Sequence, residues 1–161
     1  MYKKKSLGQH FLHSRGHLQA IVRAAEIKAG ERVLEVGPGD GALTHELLAA
    51  GAEVVAIEKD RRLIPVLRER FAGQTLTVIE GDALYFDISK YFKPSEPYKL
   101  VGNIPYYITG ALLRKFLSAE HQPSLLVFLI QKEVAERIAR SKKESILSLS
   151  IKAYGEPRYI K

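Results

Sequence analysis

Apolar and polar positions along this chain repeat with two different periods, and the switches between them divide it into short strands and helices. Leu18, Ile21, Val22 and Ala25 recur at helical spacing behind Ser14, a residue type suited to cap a helix N-terminus. Val33, Leu34 and Val36 form a short apolar run that passes directly into Gly37, Gly39 and Gly41, after which residues 42–50 read as a helix. Gly51 stops that helix, and residues 53–58 read as a second strand. Residues 61–71 follow as a helix with Leu63, Val66 and Leu67 facing inward, and residues 76–80 as a third strand running into Gly81 and Asp82. A turn-rich stretch holding Pro94 and Pro97 precedes a fourth strand at residues 99–102. Residues 103–107 sit at its end, followed by a helix through Leu112, Leu113, Phe116 and Leu117. Residues 124–130 make a fifth strand and 131–140 an exposed, charged helix. Residues 146–153 fit two templates, because Leu147, Leu149 and Ile151 alternate with Ser148, Ser150 and Lys152 as in a strand. Short strands alternating with helices of this length predict an α/β fold, a doubly wound and mainly parallel sheet covered on both faces.

The length, 161 residues, suits one domain with a real core. A formal charge of +7 points toward a polyanionic partner, with an inert basic surface as the competing explanation. The absence of cysteine excludes disulfides, thiolate metal sites and thiol catalysis. The longest apolar run, residues 125–130, is far too short to span a bilayer. Lys3, Lys4 and Lys5 resemble the start of a signal peptide, but polar Gly8, Gln9 and His10 follow where an apolar region should be. These features predict a soluble, cytoplasmic protein that does not use a membrane.

In a sheet of this kind, ligands bind beyond the carboxyl ends of the strands. Glu35 with Gly37, then Glu58, Asp82 and Asn103, are the polar residues collected there. The glycine spacing fits both a dinucleotide loop and a loop for S-adenosylmethionine. Glu35 and Asp40 flank it without a Lys or Arg inside, which disfavours a pyrophosphate and suits a ligand carrying an ammonium and a sulfonium. Glu58 lies about twenty residues beyond the loop, where a carboxylate would meet ribose hydroxyls. Asp82 suits an adenine amino group, or simply forms a turn. Glu35, turned toward the cleft, would meet an ammonium directly or through water. Asn103 and the main chain of Ile104 offer two carbonyls to the N–H bonds of an exocyclic amine. That favours the pyramidal geometry in which the amine's lone pair becomes available. Pro105 stiffens the turn, and Tyr106 offers a flat face for the base. A plain strand-end turn with a packed tyrosine is the alternative.

Taken in order, Gly8–Gln9–His10–Phe11–Leu12, Glu35–Val36–Gly37–Pro38–Gly39, Glu58, Gly81–Asp82, Asn103–Ile104–Pro105–Tyr106 and Gln131–Lys132–Glu133–Val134–Ala135 resemble the motifs of the rRNA adenine N6-dimethyltransferase family across essentially the whole chain. The resemblance implies a Rossmann-like class I methyltransferase fold that uses S-adenosylmethionine to dimethylate adenine N6 in small-subunit rRNA. It implies contacts to the cofactor from His10, Leu12, Gly37, Glu58, Asp82 and Asn103; Glu35, Gly39 and Ala83, in or beside the same motifs, complete the candidate set. Asn103, Ile104, Pro105 and Tyr106 are the candidate catalytic residues. The resemblance also favours a helix for residues 146–153. The Gly-Gln-His-Phe-Leu form is closer to the small-subunit enzymes than to the antibiotic-resistance enzymes of large-subunit rRNA. A non-catalytic RNA-binding or ribosome-assembly factor, and a nicotinamide-dependent oxidoreductase, remain as other classes.

The family's members continue with further strands and a small helical domain, the last strand being antiparallel and inserted between the fifth and sixth. Residues 1–161 are therefore expected to be one S-adenosylmethionine-binding domain cut before its last strand. The fifth strand then becomes an edge through which the chain self-associates, whereas the full-length family is monomeric. His10, His13 and His17 lack carboxylates at ligand spacing, so no metal site is expected. Lys132, Arg137, Arg140, Lys142 and Lys143 suit an RNA backbone or a solvated helix face equally.

Overall fold

A computed structural model describes residues 14–141 and 145–160, the side chain of Tyr106 aside. Its elements, in order, are α1 (Arg15–Ala24), β1 (Arg32–Val36), α2 (Ala42–Ala49), β2 (Glu53–Glu58), α3 (Leu63–Arg70), β3 (Leu76–Glu80), β4 (Tyr98–Asn103), α4 (Tyr106–Leu117), β5 (Leu125–Leu129), α5 (Lys132–Ala139) and α6 (Ile146–Lys152). All strand pairs are parallel, in the order β3-β2-β1-β4-β5. The winding direction reverses between β1 and β4, and the crevice at that reversal is where a doubly wound sheet takes its ligand.

The near-continuous apolar strands are explained by cover on both faces. Because successive strand side chains point to opposite faces, Leu34, Val36, Val55, Ile57 and Leu100 pack with Phe86, Phe92, Leu112 and Phe116 on one side. Val33, Val54, Ala56 and Val101 pack with Leu18 and Ile21 of α1 and Leu43 and Leu47 of α2 on the other. Leu63, Ile64, Leu67 and Phe71 of the α3 segment close over Val78. Val66, expected to face inward, is instead 40% exposed, and its neighbour Ile64 takes the buried position. Pro65 is accommodated because it falls in the first turn of α3, where its missing N–H has no intrahelical partner to lose.

The strand-like alternation at residues 146–153 does not form a strand. Ser145 accepts a hydrogen bond from the Ser148 N–H (3.1 Å), and the Ser148 hydroxyl oxygen accepts one from the Ser145 N–H (2.8 Å). This reciprocal cap starts α6. Ile151 then packs with Leu113 of α4 and Ile138 of α5. Among the described residues β5 pairs only with β4, and each of its positions is partly exposed.

Candidate functional site

The register of the central strands sets the site. Val36 lies opposite Gly102 and opposite Ile57, so Gly37, Glu58 and Asn103 emerge at nearly the same level from three neighbouring strands. Gly37, Gly39 and Gly41 all have positive φ (70°, 62° and 84°), the left-handed backbone that glycine adopts without a Cβ penalty. At Gly41 space matters too: a Cβ there would lie 2.6 Å from the Phe71 ring. Among the described residues, none lies within 4 Å of the place a Cβ would take at Gly37.

Glu58 is buried and ties that loop to β2. The Gly39 N–H donates to its Oε2 (3.0 Å) and the Asp60 N–H to its Oε1 (2.8 Å). The Lys59 amide also acts on this carboxylate, which leaves part of its acceptor capacity for a further donor. Burial raises its pKa above the ordinary carboxylate range despite those amides, and the nearby Asp60 charge adds to the rise. The clamp on Gly39 was not legible in the sequence, where Glu58 read only as a ligand contact.

Glu35 does not line an open cleft. It is 1% exposed because β1 is central and covered on both faces. The Thr44 hydroxyl of α2 donates to its Oε2 (2.7 Å), while Oε1 has no hydrogen-bond partner among the described residues. Desolvation pushes its pKa up to about 8, against the Thr44 hydrogen bond and with a smaller push from Glu58. At neutral pH it is protonated, so the repulsion of a pyrophosphate expected from Glu35 is not exerted by this residue. Asp40, the other flanking carboxylate, accepts from the Ala42 N–H (3.3 Å), and Arg70 donates to the Asp40 carbonyl (2.6 Å).

Asp82 begins the turn after β3. Its Oδ1 accepts from the Leu84 N–H (3.0 Å) and its Oδ2 from the Lys59 ammonium (2.8 Å). Partial burial works against its charge, yet Lys59 and the Leu84 amide hold its carboxyl below the usual range. Ala83 beside it is buried. Lys115 of α4 donates to the carbonyls of Leu84 (2.9 Å) and Phe86 (2.6 Å), pinning the segment that carries Asp82. Burial lowers the Lys115 pKa. Lys59 had a sequence signal, being adjacent to Glu58; Lys115, roughly thirty residues from its acceptors, had none.

The fourth strand is longer than expected, running from Tyr98 to Asn103, so Asn103 is still held in the ladder opposite Leu129. The Ile104 N–H donates to the Leu129 carbonyl (3.0 Å), and the Ile104 side chain is buried in the core. It reaches there because residue 102 is glycine: a Cβ would lie 2.6 Å from Ile104 Cδ1 and 2.8 Å from the Val36 carbonyl oxygen. Pro105 (φ −58°) is the N-cap position of α4, so Tyr106 starts a helix rather than completing a loop. The Pro105 carbonyl accepts from the Ile108 N–H (3.2 Å) and the Thr109 hydroxyl (3.1 Å). Asn103 and Ile104 are thus fixed by a ladder on one side and a helix start on the other.

His10 and Leu12, and Lys142 and Lys143 of the basic run, lie outside the described residues. Arg140 stacks on the Tyr159 ring at 3.9 Å, and Lys132 pairs along α5 with Glu136. No group of three or more metal-ligating side chains occurs among the described residues. None of their helices is long and apolar enough to cross a membrane.

The family model described as ribosomal RNA adenine dimethylase matches residues 1–161. A Dehalococcoides mccartyi protein named ribosomal RNA small subunit methyltransferase A is 44% identical over 98% of this chain and 55% of its own length. Among solved structures, a dimethyladenosine transferase from Plasmodium falciparum is 35% identical, with a TM-score of 0.74 over 89% of this chain and 52% of that one. The 23S rRNA methyltransferase ErmE is also 35% identical, with a TM-score of 0.70 over 81% and 51%. The chain spans about half the length of the curated relatives it matches.

Proposed function

The chain belongs to the ribosomal RNA adenine dimethylase family, and on that premise we propose that it carries the cofactor-binding and catalytic residues for dimethylation of adenine N6 in small-subunit rRNA. The single observation that carries the reading is the common level of Gly37 and Asn103 on paired strands. It sets a glycine loop beside a rigid pair of carbonyls that can grip an exocyclic amine.

The residues present fit S-adenosylmethionine. No described residue lies within 4 Å of a Cβ at Gly37, and Glu58 keeps lone-pair capacity for a ribose hydroxyl. Glu35 Oε1 is a buried polar atom without a partner among the described residues, which an ammonium would satisfy as the carboxyl ionises. Asp82 and Ala83 would border the adenine, with Gly37 and Gly39 along the chain of the amino acid. His10 and Leu12 join this set on the family resemblance alone. When bound, the cofactor supplies an electrophilic methyl group. Asn103 Oδ1 and the Ile104 carbonyl accept the two N–H bonds of the target amine and aim its lone pair. Tyr106, whose side chain lies outside the described residues, is expected to stack on the base, which must be unpaired or flipped out, since N6 is inaccessible inside a stacked helix. The methylated amine is cationic and loses its proton readily, so orientation and desolvation do the catalytic work without a strong base.

The small ribosomal subunit is the partner and the cytoplasm the site of action in this reading. The relatives named for the small subunit support it over the large-subunit activity in ErmE's name. The test is transfer of radiolabel from the cofactor to unmethylated small subunits, followed by digestion of the RNA. Label on dimethyladenosine is the expected result. Label confined to another base, or to large subunits, would overturn the assignment, and tighter binding of NAD than of S-adenosylmethionine in titration calorimetry would do the same.

A further inference from the structure

Two tyrosines stand at the rim of this site without contributing to the core. Tyr85 is 85% exposed and Tyr107 is 55% exposed, whereas Tyr98 is packed at 1%. Tyr85 is presented by a rigid segment. Its N–H donates to the Asp82 carbonyl (2.9 Å), and the carbonyls on either side of it, Leu84 and Phe86, are both held by Lys115. Tyr107 lies in the first turn of α4, four residues beyond Asn103. The two come from different elements, the segment after β3 and α4, which Lys115 joins. The Lys59 ammonium, bonded to Asp82 (2.8 Å), lies within electrostatic reach of both hydroxyls. Lys59 itself is 63% exposed.

We propose that Tyr85 and Tyr107, together with the Lys59 ammonium, form a stacking platform for the unpaired nucleotides that flank the target adenine. The proposal rests on the reading of Asn103 as the target's anchor. An exposed ring on a pinned backbone gives up little freedom when a base lies on it, and every base has a face to offer. A lysine at the same rim supplies the cation that a phosphate linking two such bases requires. The chain's charge of +7 is of the right sign for this occupant. A protein partner would not need two rings and an ammonium arranged around the mouth of a base-binding site.

The probe is a short single-stranded oligoribonucleotide carrying 2-aminopurine beside its central adenine, whose fluorescence is quenched by stacking. The protein lacks tryptophan, so the emission is not obscured. Tyr85→Ala and Tyr107→Ala should each weaken RNA binding on the order of 10-fold and relieve the quenching, as expected for one lost base–ring stack. S-adenosylmethionine affinity and the thermal melt should stay at the wild-type values. Tyr85→Phe and Tyr107→Phe should restore both RNA signals, because stacking needs the ring and not the hydroxyl. Unchanged quenching and affinity in the alanine variants would overturn the platform, and so would phenylalanine variants as weak as the alanine ones. Failure of the wild-type protein to label adenine would instead remove the proposed function, since the fluorescence readout needs no methyl transfer.

Discussion

Glu35→Gln should stabilise the ligand-free protein, and increasingly so as the pH rises. Glu35 titrates at about 8 in the fold against an ordinary value of 4.5, with desolvation as the main cause. The folded state therefore binds this proton more tightly than the unfolded one. Its stabilising effect is complete below 4.5, is lost progressively as the pH climbs from 4.5 to about 8, and then levels off. At ~1.36 kcal/mol for each pH unit between the two values, the loss is roughly 1 kcal/mol at pH 5, 3 at pH 7 and 5 at pH 8.5. Glutamine keeps the shape and can still accept from Thr44 but carries no titrating proton, so its stability should not fall in this window on account of residue 35. Urea titrations of both proteins at pH 5, 7 and 8.5 measure the difference, and the other ionisable groups cancel in it. A gap between variant and wild type that stays constant across this range would refute the buried, protonated carboxyl. Adding S-adenosylmethionine should narrow the gap at high pH, because an ammonium near Oε1 favours the charged wild-type side chain.

Gly102→Ala should cost about 1–3 kcal/mol, the usual penalty for overpacking, because the new methyl meets the Val36 carbonyl oxygen at 2.8 Å and the backbone cannot yield cheaply. A thermal melt within a degree of wild type would contradict that contact. Asn103→Ala should abolish methyl transfer while leaving cofactor affinity largely intact, since the lost carbonyl acts on the amine in the transition state. Glu58→Ala should instead weaken cofactor binding and loosen Gly39; calorimetry and single-turnover rates together separate the two, and the opposite pattern would invert the roles. Residues 1–161 made alone should self-associate through β5, an uncharged strand with one partner among the described residues. Light scattering behind a sizing column that finds a monodisperse monomer at high concentration would count against that edge.

Local order in this protein is written in local sequence. The glycine loop, the strand-to-helix switches and the position of the candidate ligand residues at strand ends follow from periodicities of a few residues and from backbone rules that hold in any context. Even at residues 146–153, where strand and helix patterns compete, the deciding cap between Ser145 and Ser148 is only three residues long, and the packing of Ile151 on Leu113 and Ile138 confirms its choice. What only the tertiary structure decides are the partners of the charged groups. That Glu58 grips Gly39, that Lys59 holds Asp82, and that Lys115 pins Leu84 and Phe86 depends on strand order and on helices crossing the sheet. Glu35 makes the same point most sharply: as a residue type it is an anion, and a central strand covered on both faces makes it a neutral acid. Charge state and long-range pairing are properties of the surroundings, and the surroundings exist only once the chain has closed on itself.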